Sequence, residues 1–374
     1  MFSGKYVPTS RGYSSFEPAL FPIIPDMSAQ TYRLFEKAAA ALGTLNAFDF
    51  VLPNSELLIR PYALKEALLS SEIEGTQSTL SEVMAEKSPY SKNEDIREVQ
   101  NYERAMNFGI KNLSAENGLP LSLRLLKELH AILMKDVRGG EPIKTPGEFR
   151  RSQNWIGGAD IQTAAYIPCS PETLGDCLDN FEKAMHTDDL PDLIKAALLH
   201  YQFETIHPFN DGNGRIGRML VTLFLIERKM LKKPLLYLSL YFKQHKTEYY
   251  DVLTHVRNTG DYERWICFFM QGILQVSNSI GSTTRKILAL KEELKHQVKD
   301  SYNLIDCFFE NPFVEADKIK EYTNASVGTV YKLLDAFESQ GILVQTTTGK
   351  RNRVFCFKRY VDLLNDTNLT TETE

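Results

Sequence analysis

Residues 207 to 218 read His-Pro-Phe-Asn-Asp-Gly-Asn-Gly-Arg-Ile-Gly-Arg, and this Gly-rich loop interrupts helical periodicity that runs from Pro191 to about Thr205 and again from Gly217 to about Met230. A loop so placed requires two helices to meet at one point. Gly212 and Gly214 let the backbone turn until consecutive amides face inward, and the positive end of the following helix faces the same cavity. Polyphosphate is the guest that such a cradle suits. Arg215 and Arg218, three apart on the first helical turn, share one side and can grip phosphate oxygens. Asp211 is the only carboxylate in the loop, and beside phosphates its natural role is to hold Mg2+. His207 has an ordinary pKa near neutrality, which qualifies it as a general base toward an incoming hydroxyl. Taken singly, a histidine before proline is more often a cap or packing residue, and a DGNG run is most often a turn. Together they point to phosphoryl or nucleotidyl transfer.

The rest of the chain predicts a mostly α fold. Tyr32, Leu34, Phe35, Ala38 and Leu42 recur at helical spacing, and a second helix from about Pro61 carries Leu64, Leu68 and Ile73 up to Gly75. Helices also follow from Asn93 to Phe108, Leu121 to Lys135 and Pro171 to Ala184, then around 243–257 and 261–299. Residues 1–30 lack periodicity and read as an extended arm. The segment 147–168, GEFRRSQNWIGGADIQTAAYIP, breaks the helical pattern with Gly157-Gly158 and β-branched residues, so a hairpin flap is expected. In the last 70 residues, helices near 300–309, Ala316–Tyr322 and Val327–Gln340 precede an alternating pair of strands around Gly349, an order that resembles a winged helix-turn-helix domain. The polar end, 366–374, reads as a disordered tail.

Composition narrows the function classes. A length of 374 residues implies two or three domains, and 43% apolar residues supply their cores. A formal net charge of −5 argues against a protein that coats nucleic acid or anionic membrane with its whole surface. Five cysteines without a CxxC pair suit neither a disulfide framework nor a zinc knuckle. No signal core and no apolar run long enough for a membrane span is present, so no membrane partner is expected and a cytoplasmic location is.

The loop matches H-x-F-x-[D/E]-G-N-G-R-x-x-R at all eight specified positions, and by these residues the chain resembles the Fic family of protein adenylyltransferases. The likeness extends over roughly residues 50 to 270, through HYQFETIHPF, the flap, and YFKQHKTEYYDVLTHVRNTGD. It implies a Fic-type helical bundle at 93–275 with a β-hairpin flap, preceded by an arm and helical region at 1–92 and followed by a linker helix at 276–299 and a winged-helix domain at 300–365. It further implies ATP and Mg2+, with a protein hydroxyl attacking the α-phosphate. In that reading His207 is the base, Asp211 holds the metal, and Gly212, Asn213, Gly214, Arg215 and Arg218 hold the phosphates. Phe209 is a buried anchor, Tyr249 and Tyr250 border the adenine, and Gly157, Gly158, Tyr166, Ile167 and Pro168 belong to a flap that docks the target. His200 and Trp155 are expected to be structural.

Ser70-Ser-Glu-Ile-Glu74-Gly75 is similar to the family's inhibitory motif, [S/T]-x-x-x-E-[G/N]. The resemblance implies that Glu74 salt-bridges Arg218 and takes the space of the ATP γ-phosphate, with Ser70 holding its helix by a local hydrogen bond. Self-modification and a homodimer are compatible with it. A second reading makes the C-terminal domain a DNA-binding unit through Lys350, Arg351, Arg353, Lys358 and Arg359. A third keeps the fold but has the enzyme remove AMP or transfer another phosphate-containing group.

Overall fold

In the computed structural model, residues 2–51, 56–86, 88–115, 118–137, 145–298, 302–349 and 353–369 are described, with the backbone alone for 49–51, 56–57 and 302–303. The arm is a hairpin rather than a single extended run. Its strands β1 (Gly4–Pro8) and β2 (Ser14–Pro18) pair antiparallel with Gly4 opposite Pro18. Phe16 buries its ring edge-on to Tyr6 and donates its amide to the Ile167 carbonyl at 2.9 Å, so the arm is fastened to the end of the flap segment.

Two long helices follow, α1 (Ala29–Val51) and α2 (Glu56–Ile73). α2 ends where Gly75 takes φ +102°, a value that side chains resist. The short α3 (Leu80–Ala85) opens on a capping box between Thr79 and Glu82. α4 (Glu94–Ser114) is capped by Asn93 with Glu94 and Asp95 in its first turn, and α5 (Leu123–Leu133) is capped by Ser122.

After the flap come α6 (Leu174–Met185), α7 (Asp192–Ile206) and α8 (Asn213–Glu227). α7 is buried on nearly every side, as a helix apolar all round must be. Its charged Lys195 donates to Thr187, Asp189 and the Ala184 carbonyl. The Trp265 indole donates to the Ala197 carbonyl at 2.7 Å. α8 packs on α7 and on α4, α2 and α5. The loop joining α7 to α8 therefore hangs from two largely enclosed helices.

α9 (Ser239–Gln244), α10 (Lys246–Thr259) and α11 (Tyr262–Gln297) complete the helical body. α11 passes 275 without a break and lies along α1, so the segment 276–299 expected as a linker is a continuation of the body. The C-terminal part runs α12 (Tyr302–Glu310), β3 (Phe313–Glu315), α13 (Ala316–Thr323), α14 (Val327–Ser339), β4 (Val344–Gln345), β5 (Val354–Cys356) and α15 (Lys358–Asn365). Its strands form an antiparallel sheet in the order β3-β5-β4, and Phe308, Phe309, Phe337, Phe357 and Tyr360 fill its core.

Residues 366–369 are docked, contrary to the expectation of a disordered tail. Lys65 Nζ donates to the Asp366 carbonyl at 2.6 Å, Gln244 Nε2 to the Thr367 carbonyl at 2.7 Å, and Ser279 Oγ to the Asn368 carbonyl at 3.0 Å. Residues 370–374 lie outside the described residues, as do Lys350 and Arg351. All five cysteines are free thiols, and no helix among the described residues is long and apolar enough to cross a membrane.

Candidate active site

α7 ends at His207, whose φ of +50° puts it in the left-handed region and turns the chain into the loop. The loop is closed by Asn213, whose side chain accepts the Phe209 amide and donates to the Phe209 carbonyl, both at 2.8 Å. Its amide group is thus spent on loop shape and not presented to phosphate. Phe209 is fully buried against His130, Phe149 and Phe203, as an anchor should be. Gly212 adopts φ +77° beneath α5, where a β-carbon would lie 2.9 Å from Met134 Sδ. The first turn of α8 then opens with its amides toward the cleft.

His207 has a buried Nδ1 with no hydrogen-bond partner among the described residues. Burial, helped by the Arg150 charge, pushes its pKa down to about 4, so the ring is neutral and able to accept a proton. Its backbone carbonyl accepts from Arg150 Nε at 3.0 Å and from Asn154 Nδ2 at 3.3 Å. Arg150 Nη2 also donates to the Cys169 carbonyl at 2.6 Å, and Asn154 Nδ2 to the Phe209 carbonyl at 2.9 Å. These two flap residues hold the loop from behind. Nothing in the sequence singles them out, since a cation binding carbonyls in an irregular segment leaves no periodic trace. Asp211 is half-buried at the loop's edge, with Oδ1 accepting the Gly212 amide at 2.6 Å.

The end of α2 reaches this cradle. Glu74 Oε1 lies 2.6 Å from Arg218 Nη2, with its side chain 35% exposed at the rim of the cleft. The same oxygen is 2.3 Å from where a β-carbon on Gly214 would stand, so the carboxylate sits directly on the first turn of α8. Burial tends to raise the Glu74 pKa, but Arg218 and then Arg215 outweigh it and hold the group ionised below its ordinary range. Arg218 is buried and held charged: Glu74, Tyr249 and Glu204 outweigh the cost of its burial. Ser70 grips this guanidinium directly, accepting Nε on its hydroxyl and Nη2 on its carbonyl, both at 2.9 Å, instead of making a local helix bond.

Arg215 takes another direction. It is buried, 3.5 Å from Glu98 and 3.6 Å from Met134 Sδ, so the two arginines diverge rather than share one side. Glu98 in turn accepts the Thr76 hydroxyl at 2.6 Å, just beyond Gly75. A carboxyl that the sequence did not announce, Glu204, stands one turn before His207. Burial pushes its pKa up to about 7 despite Arg218, and its Oε1 has no partner among the described residues.

Tyr249 does not border the cleft. Its ring is buried among Phe242, Trp265 and Phe268, and its hydroxyl meets His200 Nε2 at 2.8 Å. His200 Nδ1 lies 2.9 Å from the Gly217 carbonyl, which can only accept, so Nε2 takes the Tyr249 proton and the pair braces α8. Tyr250 is the exposed member, at 42%.

In the flap, Gly157 and Gly158 take φ +68° and +77°, and a single antiparallel bridge joins Ile156 to Tyr166. Tyr166, Ile167 and Pro168 turn inward: the Tyr166 hydroxyl donates to the Thr205 carbonyl at 2.6 Å, and Arg257 lies over its ring. Their side chains anchor the flap and are unavailable to a target, whereas 157–160 and 162–163 are exposed. Trp155, expected to be structural, is 42% exposed beside them.

Residues 32–111 match the Fic/DOC family N-terminal region and residues 120–225 match the Fic/DOC family itself. Among curated relatives, the protein adenylyltransferase Fic of Culex quinquefasciatus is 28% identical over 256 residues, covering 66% of this chain and 46% of that protein. The Drosophila virilis protein of the same name is 32% identical over 160 residues, 42% of this chain and 29% of its own. The chain thus spans less than half the length of both. A Fic family protein from Desulfovibrio desulfuricans superposes with a TM-score of 0.58 at 18% identity, covering 94% of this chain and all of the other. Residues 134–508 of Fic-1 from C. elegans give 0.54 at 22% identity, over 71% of this chain and 74% of theirs. At these identities the likeness shows the shared fold.

Proposed function

This chain belongs to the Fic/DOC family, and from that premise we propose that it transfers AMP from ATP to a Ser, Thr or Tyr hydroxyl of a protein target and restrains itself with Glu74. The observation that carries the reading is the Glu74 carboxylate on Gly214 and Arg218 at the amino end of α8, an anion already seated where a phosphate would bind. In the reaction the hydroxyl oxygen bonds to the α-phosphorus, the bond from that phosphorus to the bridging oxygen breaks, and diphosphate leaves. His207 takes the hydroxyl proton on its neutral ring. Arg218, freed from Glu74, meets the terminal phosphate, and the α8 amides receive the others. One half-buried carboxylate beside a phosphate cradle fits Mg2+, which binds through one or two carboxylates plus phosphate oxygens. Asp211 would hold that ion, which supplies charge neutralisation to the departing diphosphate.

The order helix, strand, helix, helix, strand, strand supports a winged-helix reading of the C-terminal part. DNA binding loses support at the wing, whose described cations are already paired: Arg353 with Asp335 and Glu338, Lys358 with Asp362, and Arg359 with Glu293. We assign it to docking protein, and the free thiols support a reducing, cytoplasmic setting. The test is to incubate the Glu74→Gly protein with ATP, Mg2+ and a cell extract and weigh the protein products. An added adenosine monophosphate that requires His207 supports transfer. Loss of AMP from premodified protein incubated with the wild-type chain, whose Glu74 could orient a water, with no gain in unmodified protein from either form, overturns it in favour of removal.

A further inference from the structure

α5 sends one side chain into the seam between flap and loop. His130 is fully buried and both ring nitrogens are engaged: the Gly147 amide donates to Nδ1 at 2.8 Å, and Nε2 lies 3.0 Å from the Asp211 carbonyl. A backbone amide can only donate, so Nδ1 bears the lone pair and Nε2 carries the proton, which goes to Asp211. The ring also stacks on Phe209 at 3.8 Å and 6°. Its hold on Asp211 is consequential because of what shares that peptide unit. The Asp211 carbonyl and the Gly212 amide are two ends of one planar group, and the Gly212 amide donates to Asp211 Oδ1 at 2.6 Å. A rotation of that plane swings the carboxylate with it. On the other side, Gly147 takes φ +81° and leads directly into Arg150, whose amide meets the Pro208 carbonyl at 2.9 Å and whose Nε meets that of His207.

We propose that His130 is a positioning residue for transfer: by holding the Asp211 carbonyl and the Gly147 amide together, it sets the orientation of the Asp211 carboxylate toward Mg2+ and the register of the flap against the loop. The proposal rests on the assignment of Asp211 to the metal made above. The alternative is a core histidine that merely fills space, and the two differ in what its hydrogen bonds are worth.

His130→Phe keeps a ring on Phe209 but removes both bonds, whereas His130→Gln keeps a donor and an acceptor without the ring. In a Glu74→Gly background, calorimetric titration of ATP at a series of Mg2+ concentrations gives the Mg2+ needed for half-maximal nucleotide binding. Thermal melting and transfer kinetics are recorded alongside. The expected result is a rise in that Mg2+ requirement of about tenfold for His130→Phe, the usual order for losing an outer partner of a ligand. Its kcat should fall more than its KM for protein changes, and His130→Gln should recover most of both. A lower melting temperature with an unchanged Mg2+ requirement overturns the proposal, as does a Gln variant no better than Phe. If the parent binds ATP with Mg2+ but transfers no AMP, the transferase reading fails while the binding titration still decides on His130.

Discussion

Gly214 is the residue on which the two occupants of the cradle meet. Without a side chain there, an anion can lie on the first turn of α8, and in this structure the anion is Glu74. In the proposed reaction, a carboxylate paired with Arg218 would satisfy that cation internally, turning away the terminal phosphate and taking the α-phosphate out of line for attack. Glu74→Gly is therefore expected to raise AMP transfer at equal ATP and Mg2+. A charge-assisted hydrogen bond of about 1.5 to 3 kcal/mol corresponds to roughly tenfold to hundredfold in the competent fraction. Labelled AMP incorporated by wild type and variant measures it, and a folded variant with an unchanged or lower rate removes the inhibitory role. His207→Ala should abolish transfer and leave ATP affinity nearly intact, because the imidazole acts on the hydroxyl. The loop and Glu74 were legible in sequence because their residue types announce their chemistry. Arg150, Asn154 and His130 were not, since their partners are backbone atoms brought close only by folding.

Among the helices, legibility followed periodicity. α7 was readable near its observed limits and α8 with its start placed a turn late, as was the hairpin character of the flap, held by its bridge and by Gly157 and Gly158. What failed was the direction of single side chains. Tyr249 and Tyr250 are adjacent, and adjacent residues on a helix cannot face the same way; nothing in the pair says which one is inside. The same is true of Arg215 and Arg218, whose shared spacing did not prevent Glu98 from drawing one of them aside. The buried Tyr249 gives a discriminating experiment. Tyr249→Phe removes the proton that His200 Nε2 accepts and leaves a buried lone pair unpaired, which costs about 1 to 3 kcal/mol. Chemical denaturation should show that loss, with ATP affinity unchanged; a selective fall in ATP affinity at full stability would restore Tyr249 to the adenine side.

Across the whole molecule, sequence periodicity divided what folding joined. α11 carries the body through to the C-terminal part, and residues 366–369 return to α2, α9 and α11, because carbonyls with no periodic signal find Lys65, Gln244 and Ser279. Enclosure on this scale buries ionisable groups, and the buried groups determine how stability depends on pH. Burial pushes His130, His200 and His207 down to about 4, 3 and 4, from an ordinary value of 6.5. Below 6.5 the unfolded chain binds protons that the folded one refuses, so stability falls as pH drops from 6.5 toward 4. Burial pushes Glu66 and Glu204 the other way, up to about 7 from 4.5. Between those values the folded chain binds the extra protons, so this contribution is fully present below 4.5 and is lost as pH rises to 7. Among these five groups the opposing slopes overlap between 4.5 and 6.5, where three histidines face two carboxyls, and above 6.5 the carboxyl loss is the one of them that remains. Glu204 isolates its own share, because its Oε1 has no partner whose loss would confuse the comparison. Glu204→Gln should leave the melting temperature near that of wild type at pH 4.5 and raise it at pH 8, where wild type carries a buried charge that the amide lacks. Melting curves at half-unit steps from pH 4.5 to 8 measure the difference. A gap between variant and wild type that stays constant across the range would mean that Glu204 keeps an ordinary pKa, and that Arg218 offsets its burial in full.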